Sequence, residues 1–506
     1  MSTHRFYVTT AIPYVNGDPH LGHALELVQA DVLARHRRLR GDAVRFLTGT
    51  DDNAMKNVAA AREAGVPVAE FVAAKASRFA ALRGPLELSY DDFLRTSADP
   101  RHRPAVERLW RACADAGDLY ERDYEGLYCG GCEAFLAEDE LDGGRCAEHG
   151  EPPERVAERN WFFRLSRHRE RLLALLEGGG LRIEPEHRRN ETLALVRAGL
   201  ADFSVSRPRE RAAGWGIPVP GDPGQVVYVW FDALANYVSA LDFGGNRAAY
   251  REWWCGPGER VHVIGKGILR FHAVYWPAIL LSAGQPLPTA LFVHEYVTVE
   301  ARKLGKSLGN AVAPDSLAAR YGSDALRWWL LRDVPRAGDA DFREAQLAAR
   351  ANELADGLGN LVNRTIVLVA RFRPEGLRTA ANDRPPLERL ASEIDAALER
   401  FDPRAAGDAL WCAVTETNRF VSSSRPWDLA AAERAGDARA GEALDAVLTT
   451  LDRACRTLAH ELRPFLPGAA SRIERALERR DPALGASLFA KVAPGTVAGG
   501  AAPEPR

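Results

Sequence analysis

The chain has 506 residues, of which 46% are hydrophobic and 27% charged, with a net charge of −3. That length suits roughly three domains with ample core, and the near-neutral balance excludes any global pull toward nucleic acid or membrane, so an RNA contact must come from a local patch. Seven cysteines are too few for a disulfide framework in a chain of this size.

The first elements predicted are a strand, a turn and a helix. Arg5 to Thr10 alternates and is β-prone, while Leu21, Leu25, Val28 and Val32 recur at helical spacing. His20-Leu21-Gly22-His23 therefore falls where a strand gives way to a helix N-terminus. Such an end carries unpaired N–H groups and partial positive charge, which favour anions. Gly22 lets a phosphate approach, and His20 and His23 can both face it; the same pair can also be two capping histidines. The N-terminus lacks a basic-then-apolar signal pattern, which predicts a cytoplasmic protein.

Ala43 to Thr50 predicts a second strand ending at Asp51-Asp52, a β-α-β opening whose polar strand end is where open parallel sheets bind ligands. Helical segments are expected to about Leu94 and from Arg103 to about Ala116. Tyr120 to Arg155, rich in Gly, Cys, Glu and Asp, reads as an insertion, and Trp161 to Leu176 as an amphipathic helix stopped by Gly178-Gly179-Gly180. Strands are expected again at Val226 to Phe231, Arg260 to Gly265 and Ala290 to His294, alternating with helices at Asp232 to Ala240 and Ile268 to Ser282. The uncharged run from Phe271 to His294 holds three histidine or glutamine side chains, His272, Gln285 and His294, and three prolines, so it predicts buried helix, loop and strand rather than a membrane span.

From about Ala345 the pattern is helical. Leu387, Leu390, Ile394, Leu398 and Phe401 form one stripe, and Leu444, Val447, Leu448, Leu451, Cys455 and Leu458 another, which predicts a helix bundle. Pro374 to Pro386 reads as a loop, and the tail after Ala493 as disordered.

Cys129-Gly-Gly-Cys132, thirteen residues, then Cys146-Ala-Glu-His149 is two knuckles of two ligands each, a set that suits tetrahedral structural zinc. Cys113, Cys255, Cys412 and Cys455 sit in apolar contexts and are expected to be buried thiols. Farther on, Lys303-Leu304-Gly305-Lys306-Ser307 places two lysines three apart in a Gly-containing loop, able to close over a polyphosphate and neutralise its charge.

Together the HLGH and KLGKS motifs, the knuckle insertion and the helical C-terminal region resemble a class I aminoacyl-tRNA synthetase, and most closely the methionyl-tRNA synthetase family. The supporting stretches, among them YVTTAIPYVNGDPHLGHA, FLTGTDD, YEGLYCGGC, VVYVWFDALANYVSAL, IGKGILRFHAVYWPAIL and GLGNLVNR, run from about residue 5 to about residue 465. The resemblance implies an α/β fold: a Rossmann-like parallel-sheet catalytic domain in two halves, residues 1–117 and 196–294, around a zinc-knuckle connective insertion at 118–195. It further implies a KLGKS-loop and stem-contact region at 295–345, a helical anticodon-binding bundle at 346–480 and a flexible tail at 481–506.

The resemblance also implies roles. A methionine pocket would be lined by Ile12, Tyr14, Trp230, Ala233, Tyr237, Ile268, His272 and Trp276, with Asp51 holding the amino group. An aromatic pocket suits a thioether and a carboxylate suits an ammonium. His20, His23, Lys303 and Lys306 would stabilise phosphate charge, with Mg²⁺ accompanying ATP, while methionine forms methionyl-adenylate and then passes to the terminal ribose of tRNA(Met). Asn360, Arg364 and Trp427 would read anticodon bases, two from one helix face and one as a stacking surface.

Four departures from the family pattern stand out. Asn53-Ala54 replaces the usual His-Gly, Gly265-Lys266-Gly267 replaces Gly-Lys-Asp, Leu304-Gly305 replaces Met-Ser in the lysine loop, and no appended domain follows the bundle, which predicts a monomer. Three readings result: a methionine–tRNA ligase, including a divergent second copy that escapes an inhibitor; a biosynthetic paralogue passing an aminoacyl-adenylate to a small amine or hydroxylamine; and a non-catalytic tRNA-binding protein. The lysines and histidines favour an enzyme, and the base-reading trio favours the ligase.

Overall fold

The computed structural model describes residues 4–130, 134–136, 138, 141–147, 150–304, 312–377 and 387–492. The chain forms two compact units: Met1–Pro19 with Gly41–Ala81 and Ser89–His294, and His20–Arg40 with Leu82–Leu88 and Glu295–Arg506.

The first unit is built on a six-stranded sheet in the order Asp92–Arg95, Ala43–Thr50, Arg5–Thr10, Glu259–Gly265, Ala290–His294, Arg182–Glu184. Every neighbouring pair is parallel; Val8 lies opposite Phe46 on one side and Val261 on the other. Five of the six residues of Arg5–Thr10 are buried, the pattern of a strand covered on both faces rather than one with a wet side. Chain order reverses between Arg5–Thr10 and Glu259–Gly265, and the carboxyl ends of strands flanking such a switch are where open sheets take ligands.

Helix His102–Asp115 buries His102, Ala105, Val106, Leu109, Trp110 and Cys113, a continuous stripe at helical spacing. Trp110 meets Phe231 edge-on at 5.5 Å and Trp161 at 6.1 Å. The insertion is an antiparallel sheet whose long pair, Leu119–Cys129 with Glu154–Phe163, runs in register from Leu119 opposite Phe163 to Tyr128 opposite Glu154. A smaller hairpin, Leu141–Asp142 with Arg145–Cys146, turns through Gly143 and Gly144 at φ +56° and +78°. Two successive positive φ values are what a tight two-residue hairpin needs and what glycine supplies.

In the second unit, helices Asn360–Phe372, Leu390–Glu399, Pro403–Ser424, Pro426–Arg434, Ala438–Leu462 and Pro467–Arg479 form the expected bundle. Leu444, Leu448, Leu451, Cys455, Leu458 and Leu462 make the buried seam of its longest helix, which Asp437 caps by accepting from the N–H groups of Arg439 and Ala440. Arg327, fully buried, donates to the carbonyls of Leu86, Pro464 and Phe465 at 2.7–3.0 Å and pairs with buried Asp31 at 2.8 Å. A guanidinium away from water requires such complete satisfaction.

The structure corrects several expectations. Asp92–Arg95 is a sheet strand where helix was expected, and Trp161 to Phe163 ends a strand, followed by a 3-10 helix at Leu165–His168 and an α-helix only from Arg169. Val226 and Val227 close a strand, but Val229–Leu234 is helical. Cys113 and Cys455 are buried, and burial pushes both thiols up to about 12, whereas Cys255 and Cys412 are exposed. Cys412 lies on the outer face of its helix beside Glu416, and Cys255 ends a turn whose buried anchor is Trp254. Among the described residues no helix is long and apolar enough to cross a membrane, and Phe271 to His294 forms the expected helix, loop and strand.

Candidate active site

In the second unit, helix Leu21–Leu39 starts at His20, whose extended backbone makes it the N-cap. His20 Nδ1 accepts from the Gly22 N–H at 3.1 Å, and the His20 N–H donates to Nδ1 of His23 at 3.1 Å. The two rings stack 3.8 Å apart at 21°. With each Nδ1 accepting a backbone hydrogen, each neutral ring carries its own hydrogen on Nε2. Burial, with the neighbouring His20, holds His23 well below the usual histidine range, so His23 is a neutral donor rather than a cation. The capping and phosphate readings are thus compatible, since the capping bonds fix the ring orientation. A Cβ on Gly22 would lie 3.0 Å from Cε1 of His20, which explains the glycine. Lys303 ends the short strand Arg302–Lys303, opposite Thr298 in the antiparallel strand Val297–Val299. Lys306 lies outside the described residues.

The nine residues expected around methionine all belong to the first unit. Tyr14, just beyond the first strand, bridges to Asp51 at the end of the second, and the Asp51 N–H donates to Pro13 O at 2.9 Å. Asp51 and Asp52 are both buried but differ in surroundings. Asp52 accepts from Thr50 Oγ1, Ser97 Oγ and Arg95 Nε at 2.6–3.0 Å, which neutralises and saturates it. Asp51 accepts the Asn53 N–H at 3.2 Å.

Tyr237 and His272 are buried partners: the Tyr237 hydroxyl lies 2.7 Å from His272 Nε2, and His272 Nδ1 lies 2.9 Å from Ile268 O. A carbonyl only accepts, so Nδ1 carries the hydrogen and Nε2 accepts from the tyrosine. Burial pulls His272 down to about 4, keeping it neutral. Trp230 stacks on Phe271 at 3.7 Å and meets Tyr14 edge-on at 6.3 Å, and Trp276 lies 6.0 Å from Tyr237. Nε1 of both tryptophans is buried without a hydrogen-bond partner among the described residues. Ala233 is buried on helix Val229–Leu234 and Ile12 is half-buried in the loop after the first strand.

Of the four expected zinc ligands, Cys129 and Cys146 are described. Both are buried thiols, one ending the strand Leu119–Cys129 and the other the hairpin strand Arg145–Cys146. Cys132 and His149 lie outside the described residues, and among those described no group of three or more His, Cys, Asp or Glu could hold a metal. Two buried thiols at hairpin ends, outside any disulfide, fit the donor chemistry of zinc. In the bundle, exposed Asn360 and half-buried Arg364 lie on helix Asn360–Phe372. Trp427 follows a left-handed Arg425 and a proline that starts a new helix, and at 40% exposure it is not core.

Residues 6–151 and 139–366 match the family described as tRNA synthetases class I (M). The methionine–tRNA ligase of Brucella suis biovar 1 is 38% identical over 485 residues, 94% of this chain and 92% of that protein. That of Thermotoga maritima is 39% identical over 437 residues, 84% of this chain and 68% of that one. A Mycobacterium tuberculosis methionyl-tRNA synthetase bound by methionyl-adenylate superposes with a TM-score of 0.85 at 36% identity, covering 93% of each chain. The chain belongs to the methionyl-tRNA synthetases. Within that family's fold, sequence reasoning missed Phe271, which backs Trp230, and the buried pair of His102 and Asp232, 2.5 Å apart. A lone carboxylate in the apolar run from Val226 to Leu234 was the available signal for the pair. His262, stacked on Tyr237 at 4.0 Å, was likewise signalled by a histidine inside an apolar strand.

Proposed function

We propose that this chain is a methionine–tRNA ligase: it activates methionine with ATP to methionyl-adenylate and transfers the methionyl group to the terminal ribose of tRNA(Met). The observation that carries this reading is the pocket, where a buried carboxylate, Asp51, and the buried Tyr237–His272 pair occur in one unit with Trp230 and Trp276. The Tyr237 hydroxyl and both His272 nitrogens satisfy one another and Ile268 O, so these side chains turn apolar surfaces to a ligand. An unbranched thioether matches such walls through dispersion and sulfur–aromatic contact, and Asp51 pairs with the ammonium. The relatives' names and the adenylate-bound solved structure support the same assignment.

In the first step the methionine carboxylate attacks the α-phosphorus of ATP and pyrophosphate leaves. His20 and His23 donate from Nε2 to phosphate oxygens, and Lys303 and Lys306 neutralise the charge that builds on the leaving group. Mg²⁺ accompanying ATP would supply further neutralisation of the phosphate charge. In the second step a ribose hydroxyl of tRNA attacks the adenylate carbonyl and AMP leaves, with no side-chain nucleophile. Asn360, Arg364 and Trp427 read the anticodon, a role supported by the exposure of Trp427. Cys129, Cys132, Cys146 and His149 would hold structural zinc, and the cytoplasm is the compartment where the tRNA acceptor is found. The test is attachment of labelled methionine to unfractionated tRNA with ATP and Mg²⁺, beside pyrophosphate exchange. Charging establishes the ligase; exchange without charging assigns a small-molecule acceptor instead.

A further inference from the structure

Two segments of the first unit hold opposite ends of the proposed methionine site. The turn after Ala43–Thr50 carries Asp51, and helix Val229–Leu234 carries Trp230 and Ala233. Asn53 joins them: its Nδ2 donates to Oδ2 of Asp232 at 2.7 Å, while its backbone N–H donates to Oδ1 of Asp51 at 3.2 Å. The next residue, Ala54, is fully buried in a cluster with Tyr228 and Val229. Hydrogen bond and packing therefore lock the same turn to the same helix.

Asp232 is a fixed anchor. Its Oδ1 lies 2.5 Å from His102 Nε2, and His102 Nδ1 lies 3.0 Å from Ser239 Oγ, which donates its single hydrogen to Ala235 O at 2.7 Å. His102 Nδ1 must then donate to Ser239, and a further hydrogen lies between Nε2 and Asp232. All of Asp232, His102 and Ser239 are buried. The carboxylate thus presents Oδ2 as a rigid acceptor toward the turn, and the amide N–H of Asn53 matches it.

We propose that Asn53 is a positioning residue for methionine, setting the spacing between the Asp51 carboxylate and the wall formed by Trp230 and Ala233. The proposal rests on the methionine reading of this pocket. Ammonium and thioether belong to one rigidly sized substrate, so a small slip between the segments that grip them falls on methionine rather than on ATP.

The experiment is pyrophosphate exchange with the full-length wild type, Asn53→Leu and Asn53→His, each with a thermal melt. Asn53→Leu keeps the volume without the donor and should raise KM for methionine about tenfold with KM for ATP unchanged, while the melting temperature falls because the buried Asp232 Oδ2 loses its donor. Asn53→His, whose ring N–H can donate to Asp232, should recover most of the affinity. An unchanged KM for methionine in Asn53→Leu, beside an active wild type, overturns the proposal alone. So does an equal rise in both KM values. A wild type that exchanges with no methionine overturns the pocket reading and the proposal with it.

Discussion

Tyr237 donates its hydroxyl hydrogen to Nε2 of His272 across 2.7 Å, and the same ring returns its Nδ1 hydrogen to Ile268 O at 2.9 Å. Tyr237→Phe removes one donor and leaves a buried imidazole nitrogen unsatisfied, a loss of about 1–3 kcal/mol. KM for methionine should rise about tenfold to a hundredfold in pyrophosphate exchange, with KM for ATP unchanged. Equal changes in both would separate the pair from methionine.

The same histidine fixes a pH dependence of stability. His272 lies at about 4 in the folded chain because burial disfavours its cation, against 6.5 ordinarily. As pH falls the unfolded chain takes up this proton first, so the contribution is fully present above about 6.5 and is lost as pH falls through about 4. The urea midpoint of the wild type should therefore drop more steeply across that window than that of His272→Asn. Parallel slopes would show that the ring is solvated.

His20 both caps its helix and offers a donor, and one substitution separates the two. Asn is a good N-cap and can accept from the Gly22 N–H, but it lacks the Nε2–H. His20→Asn should lower kcat for exchange about tenfold to a hundredfold, the range for a lost charge-assisted hydrogen bond, while the melting temperature holds. A fall in melting temperature with normal kcat would reduce His20 to a cap.

Exposed Trp427 predicts a different split. Trp427→Ala should weaken charging of tRNA about tenfold while leaving pyrophosphate exchange and the melting temperature as in the wild type, since stacking on a base is worth about 1–3 kcal/mol and little packing is lost. Loss of both activities together would assign Trp427 to the fold.

How much of this was legible in the sequence depended on how far local pattern and tertiary demand agreed. Arg5–Thr10, Ala43–Thr50 and Ala290–His294 match their predicted bounds because a continuous buried run is flanked by turn residues. Asp92–Arg95 is a four-residue strand with one fully buried side chain, Leu94, too short to show a period. Val229 to Phe231 has the β-branched and aromatic composition of a strand, yet Tyr228 starts a helix there, because β-propensity yields to packing. The residues proposed to line a methionine pocket were singled out only through family resemblance, since aromatic side chains at these spacings serve equally as core. The link from Asn53 to Asp232 spans 179 positions and left no local trace.

A fully buried ion pair in the second unit yields the last prediction. Asp31 and Arg327 are both fully buried, 2.8 Å apart, and Asp31 also accepts from Arg35 Nε at 2.7 Å. Asp31→Asn strips the guanidinium of its carboxylate in a site water cannot reach, and should cost about 3–5 kcal/mol. Arg327→Met leaves Asp31 its bond to Arg35 but orphans the carbonyls of Leu86, Pro464 and Phe465. The two losses overlap, because a neutral residue at 327 no longer needs a counter-charge at 31. Asp31→Asn/Arg327→Met should therefore unfold at a higher urea concentration than additivity of the single variants gives. Strict additivity would mean that the two side chains do not share a charge, and that the three carbonyls alone hold Arg327 in place.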